Sequence, residues 1–171
     1  GELADRFELV APDLPGHGGS GIPHEPARAG VERTADDLAA LIDRLGLGSV
    51  DLLGYSLGAR VALRVAVSHP AFVRRLVLES PSAGIADPGE RAARRAADEA
   101  LAASLLSDGI DAFADRWAAQ SIFASQAALP AERRAIVRAE RLLHRAEGLA
   151  VSLRGAGPGA MEPLFDRLAS I

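Results

Sequence analysis

Only one arrangement in the sequence has the residue types and spacing that nucleophilic or general-base chemistry needs: Gly54-Tyr55-Ser56-Leu57-Gly58. When G-x-S-x-G lies between a buried strand and a helix, the chain turns so sharply that the serine hydroxyl stands clear of both elements. The N–H of the next residue, with the first N–H groups of the helix, then points at any oxyanion forming beside the serine. Ser56 is the candidate catalytic hydroxyl and Leu57 its candidate oxyanion donor. The flanking glycines are expected where the turn crowds its neighbours and a Cβ would clash. Arg60 falls in the first turn of the helix, where the macrodipole disfavours a cation. An anion beside Ser56, gripped by the two-pronged guanidinium, accounts for it, and a solvent-facing arginine is the alternative.

Other candidate chemistries are weaker. Gly16-His17-Gly18-Gly19-Ser20-Gly21 matches the spacing of a dinucleotide fingerprint. That fingerprint needs a helix N-terminus within the glycines, whereas Pro23 and Pro26 intervene before helical spacing resumes near Val31, so a tight turn is the better reading. There is no Cys and no H-E-x-x-H spacing, which leaves little for a metal. Arg134, Arg138, Arg141 and Arg145 recur along one helical face, suited either to lining an anion pocket or to an ordinary solvated surface. Arg94 and Arg95 have acidic helical neighbours in Glu90, Asp98 and Glu99. Trp117, with Phe113 and Phe123 near it, reads first as core. His144 falls within a helical run and is expected on the surface, and His17, His24 and His69 are not placed as a general base.

The strands and helices around Ser56 follow from composition and period. The 171 residues suffice for one domain with a real core, and 49% hydrophobic with 25% charged residues is ordinary for a packed chain. A net charge of −4 disfavours nucleic acid as partner, and Arg60 and Arg64 interrupt the longest apolar stretch, so no membrane span is expected. All 19 basic residues are Arg, so arginine abundance alone means little. Residues 7–11, 50–54 and 73–78 read as strands, and residues 31–45 and 58–68 as helices, a β-α-β-α-β order that predicts a parallel sheet with helices on its faces. Residues 88–154 read as helical throughout, interrupted at Gly109, Pro130 and Gly148. A final helix is expected over residues 161–168. The expected division is a partial α/β core at 1–87, a helical cap at 88–154, and a linker with a return helix at 155–171.

Asp13-Leu-Pro-Gly-His-Gly-Gly-Ser20 and Leu53-Gly-Tyr-Ser-Leu-Gly-Ala-Arg60 resemble the α/β-hydrolase superfamily. Glu79-Ser-Pro-Ser-Ala-Gly-Ile85, Asp115-Arg-Trp-Ala-Ala-Gln-Ser-Ile-Phe-Ala-Ser125 and Gly148-Leu-Ala-Val-Ser-Leu-Arg-Gly155 narrow the resemblance to the MenH family, the 2-succinyl-6-hydroxy-2,4-cyclohexadiene-1-carboxylate synthases. The resemblance implies an α/β-hydrolase fold: a partial parallel sheet flanked by helices, with a helical cap. It also implies a cytoplasmic, cofactor-independent lyase that eliminates pyruvate from a tricarboxylate, beginning with proton abstraction by a Ser-His-Asp constellation. Ser56 and Leu57 take the catalytic roles in that analogy, and Tyr55, Arg60, Arg94, Trp117 and Arg141 line the substrate pocket. The Asp and His of the constellation are not found in this sequence. The chain, which begins at Gly1, is therefore expected to be a central excerpt, nearly inactive alone. A serine esterase on the same fold and an inactive partial reading frame are the alternatives.

Overall fold

The computed structural model describes residues 3–171. Helix α1, Val31–Arg44, forms where Val31, Ala35, Ala39 and Ile42 recur at helical spacing and bury one stripe. It ends where Gly46 takes a positive φ of 66°. Strand β1, Val50–Tyr55, leads into α2, Leu57–Ser68, and α2 returns to β2, Val73–Glu79. The two strands pair in parallel, Asp51 opposite Arg75 and Tyr55 opposite Glu79. Helix α2 is apolar on most sides because it is enclosed: Val61, Leu63, Val65 and Val67 pack with Val31 and Ala35 of α1 and with Met161 and Leu164 from the chain's last segment. Burying each such side chain contributes about 1.5–3 kcal/mol, which fixes the helix against the sheet and therefore fixes its N-terminus.

Strand alternation sorts the sheet's two faces. Leu52, Leu76 and Leu78 pack into the core, whereas Leu53, Tyr55 and Val77 point the opposite way and are 67%, 57% and 54% exposed.

Residues 88–154 form helices separated by short turns at 119–120, 129–130 and 143–145. Helix α3, Pro88–Ala118, starts with Pro88 in its first turn and with the Asp87 carboxylate accepting from the Glu90 N–H at 2.8 Å. It kinks at Gly109, where φ is 83°. Helices α4, Ala131–Leu142, and α5, Ala146–Ala156, follow, with a 3-10 segment, Ser121–Ala128, before them. A second core joins α3 to α5 through Ala102, Leu105, Phe113 and Ala150, with Trp117, Leu149 and Leu153 against it.

Four expectations about elements need correction. Residues 7–11 are not a strand: no ladder partner lies beside them among the described residues, and Phe7, Leu9 and Val10 are exposed. The observed order is therefore α1-β1-α2-β2, with one crossover. Gly148 does not interrupt a helix; it lies inside α5 so that the helix can touch the Gly16 backbone, where a Cβ would meet the Gly16 carbonyl carbon at 2.9 Å. The final helix over 161–168 is instead a 3-10 turn, Phe165–Ser170, because residues 157–164 are held as a turn against Ala83, whose carbonyl accepts from the Leu164 N–H at 2.7 Å. Finally, His144 is not in a helix: the chain bends between α4 and α5 at this residue.

Candidate active site

Ser56 sits at the junction of β1 and α2 with φ 50° and ψ −109°, a conformation that a non-glycine residue adopts only when its surroundings impose it. Two contacts impose it here. The Ser56 N–H donates to the Glu79 carbonyl at 2.9 Å, extending the sheet ladder into the turn, and the Ser56 carbonyl accepts from the Arg60 N–H at 3.1 Å, starting the helix. Gly54 makes the turn possible, since a Cβ there would lie 2.6 Å from the Gly58 carbonyl carbon and 2.7 Å from the Ala59 Cα. The same does not hold for Gly58, whose Cβ would meet nothing within 4 Å, so the expectation that both glycines are sterically required is half right. The Ser56 side chain is exposed and makes no hydrogen bond among the described residues. Leu57 is the first residue of α2, where the N–H has no partner within the helix.

These groups open onto a cavity of about 600 Å³ between the core and the α3–α5 region. Of the site residues expected from sequence, Ser56, Leu57, Arg60, Arg94, Trp117 and Arg141 line it. Tyr55 does not. Gly54 faces α2, so Tyr55 one residue later points to the opposite, open face of the sheet.

The arginines are held differently. Arg60 is mostly buried; its Nη1 donates to the Ala156 carbonyl, and desolvation, with Arg94 close by, pushes its pKa down to about 10. Arg94 Nε donates to Asp98 Oδ1 at 2.9 Å. Arg141 Nη2 donates to Gln126 at 3.1 Å, and its guanidinium lies 5.2 Å from the Phe123 ring centre. Trp117 stacks on Phe113 with ring centres 5.4 Å apart and is also among the residues lining the cavity. The rest of the arginine face is satisfied elsewhere: Arg134 by Leu129, Arg138 by Asp111 and Asp115, Arg145 by the Ser20 carbonyl. Arg91 and Arg95 reach the carbonyls of Met161 and Gly159 and are not among the cavity's lining residues.

Sequence reasoning missed several lining residues. His144, expected on the surface, faces the cavity, because the bend that breaks the helix turns it inward against His17, with ring centres 5.6 Å apart. His17 is carried there by the glycine-rich turn, which Asp13 closes by accepting from the Gly19 N–H at 2.9 Å and, through its carbonyl, from the Ser20 hydroxyl. No helix begins within that turn. Burial pulls the His17 pKa below its usual value despite a bond from its ring to the Pro15 carbonyl. Asp98, Ser80 and Ser82 also line the cavity, and Ser80, at the end of β2, shares with Ser56 a positive φ, 52°. The one sequence signal for Asp98 was its i+4 spacing from Arg94. Among the described residues no group of three or more His, Cys, Asp or Glu is arranged to hold a metal, and no helix is long and apolar enough to cross a membrane.

The family model described as alpha/beta hydrolase fold matches residues 2–159. The chain belongs to the α/β-hydrolase fold family. Among similar proteins, one from Bacillus subtilis, provisionally named 2-succinyl-6-hydroxy-2,4-cyclohexadiene-1-carboxylate synthase, is 38% identical over 170 residues, covering 99% of this chain and 62% of the relative. A Klebsiella pneumoniae synthase of the same name is 39% identical over 128 residues, covering 72% of this chain and 49% of the relative. The solved structure of MenH from S. aureus superposes with a TM-score of 0.86 at 34% identity, covering 93% of this chain and 59% of that one. This α/β-hydrolase chain thus spans about three fifths of the Bacillus relative's length.

Proposed function

We propose that this chain carries the serine elbow and the anion-binding wall of a MenH-type lyase, which eliminates pyruvate from 2-succinyl-5-enolpyruvyl-6-hydroxy-3-cyclohexene-1-carboxylate to give 2-succinyl-6-hydroxy-2,4-cyclohexadiene-1-carboxylate in menaquinone biosynthesis. The observation that carries the reading is the meeting of Ser56 with three guanidiniums, Arg60, Arg94 and Arg141, in one cavity. An esterase has no need of three cations around its nucleophile; a substrate bearing several carboxylates does. In this reading Arg60, Arg94 and Arg141 grip the carboxylates and orient the ring, while Trp117 packs against its apolar part. The Ser56 oxygen faces the carbon that loses its proton, the Leu57 N–H receives the negative charge that deprotonation places on the neighbouring succinyl carbonyl oxygen, and that electron pair then forms the ring double bond as the C–O bond breaks and pyruvate leaves as its enolate.

Proton abstraction requires a base on Ser56, and among the described residues no imidazole hydrogen-bonds that hydroxyl. Lacking one triad member commonly lowers turnover by about 10⁴ or more, so the 171-residue chain alone is expected to release pyruvate at background rate. The test is a chimera in which this chain replaces the matching stretch of the Bacillus subtilis relative. Pyruvate release and diene formation, lost in Ser56→Ala and in Arg60→Ala, support the reading. A folded chimera that hydrolyses p-nitrophenyl acetate without releasing pyruvate, and is indifferent to Arg60→Ala, replaces it with an esterase.

A further inference from the structure

Asp98 is the one charged residue fully buried among the described residues; its side chain is 7% exposed, against 43% for its partner Arg94. The bond between them uses only Arg94 Nε. The two terminal nitrogens of Arg94 have no protein partner among the described residues, and Arg94 lines the cavity. A guanidinium held by its Nε keeps its outer edge free, and that edge matches a carboxylate in two parallel bonds. Asp98 is itself closely packed on its far side. Its Oδ2 is buried without a hydrogen-bond partner, against Gly157, where a Cβ would lie 3.0 Å from the Asp98 Cγ. The absence of a side chain at residue 157 makes room for the carboxylate.

As a stabilising device this arrangement is poor. Burying a carboxylate with one oxygen unanswered is unfavourable, and an i,i+4 ion pair to a half-exposed arginine returns little. As a means of aiming Arg94 it makes sense. We propose that Asp98 is a positioning residue of the anion site, fixing the outer edge of the Arg94 guanidinium toward the cavity. The charged lining comprises Arg60, Arg94, Arg141 and Asp98, with Asp98 turned to Arg94 and the guanidiniums left to meet the ligand. The inference rests on the polycarboxylate reading above and deepens it.

The experiment is calorimetric titration of the 171-residue chain with propane-1,2,3-tricarboxylate, for the wild type, Arg94→Ala, Asp98→Ala, Asp98→Asn and the double variants. Loss of a charge-assisted bond that aims the cation is expected to weaken binding about tenfold in Asp98→Ala, and by a smaller factor in Asp98→Asn, which keeps an acceptor oxygen. In the Arg94→Ala background the Asp98 changes weaken binding by a much smaller factor than in the wild type, because Asp98 acts chiefly through Arg94 and otherwise only through its attraction for Arg60. Where Asp98→Ala does not fold, the Asp98→Asn cycle decides. Asp98 variants that bind as the wild type does, or whose loss adds in full to that of Arg94→Ala, overturn the inference while the polycarboxylate reading stands. A wild-type chain that does not bind the tricarboxylate overturns both.

Discussion

Replacing Gly54 by alanine tests whether the sharp turn at Ser56 is imposed by packing. The added methyl would enter a space bounded by backbone: the Gly58 carbonyl carbon at 2.6 Å, the Ala59 Cα at 2.7 Å and the Gly58 oxygen nearer still. None of these is the end of a flexible side chain, so relief requires moving β1 away from the start of α2, which the enclosed residues Val61 and Val65 resist. Overpacking of a well-packed site costs about 1–3 kcal/mol, and rigid backbone on all sides puts Gly54→Ala at the upper end, about 3 kcal/mol. For a chain of this size that lowers Tm by roughly 6–12 °C. Gly58→Ala is the internal control. It lies in the same helix start, two residues past Ser56, yet its Cβ would meet nothing within 4 Å, so the gain in helix propensity leaves stability equal or higher by up to about 1 kcal/mol. Differential scanning calorimetry of the two variants decides. A Gly54→Ala chain as stable as Gly58→Ala would refute the strained-elbow geometry.

Two further outcomes follow from the cavity's electrostatics. Arg60→Met removes a desolvated guanidinium whose pKa falls to about 10, but it also leaves the buried Ala156 carbonyl without its charged donor, a loss of about 1.5–3 kcal/mol that offsets the relief, so Tm should change little while tricarboxylate binding is lost; binding intact in the variant would contradict Arg60's place in the anion wall. His17, with its pKa lowered by burial and with His144 and Asp13 as its charged neighbours, resists protonation in the folded state, so stability should fall as pH drops below the unfolded imidazole value near 6.5 and level off below the folded one; His17→Gln should remove that part of the pH dependence, and an unchanged profile in denaturant titrations would contradict it.

The parts of the fold legible in the sequence were those whose signals are local and doubly determined. Helix α1 has both an apolar stripe and a glycine stop, and β1 and β2 are short apolar runs with a helix between them. The elbow was legible because Gly54, Ser56 and the start of α2 constrain one another. Residues 7–11 misled because β propensity forms no strand without a neighbour to bond to. Tyr55 lies outside the cavity's lining for a reason of pleat: Gly54 faces α2, so the next residue points to the sheet's other face. His144 and Asp98 were hidden for another reason. Each is brought to the cavity by a long-range encounter, His144 by the bend before α5 and Asp98 by the packing of α3 on α5 at Gly157, and neither event leaves a periodic trace in the neighbouring residues.

If the Ser56 hydroxyl and the arginine wall address one ligand, a crystal of the chain grown with 2-succinyl-6-hydroxy-2,4-cyclohexadiene-1-carboxylate will hold it in the cavity, its carboxylates bonded to Arg60 and Arg94 and its ring against Ser56 and Trp117. A product bound elsewhere, or an empty cavity with the Ser56 hydroxyl turned away into the fold, would contradict this.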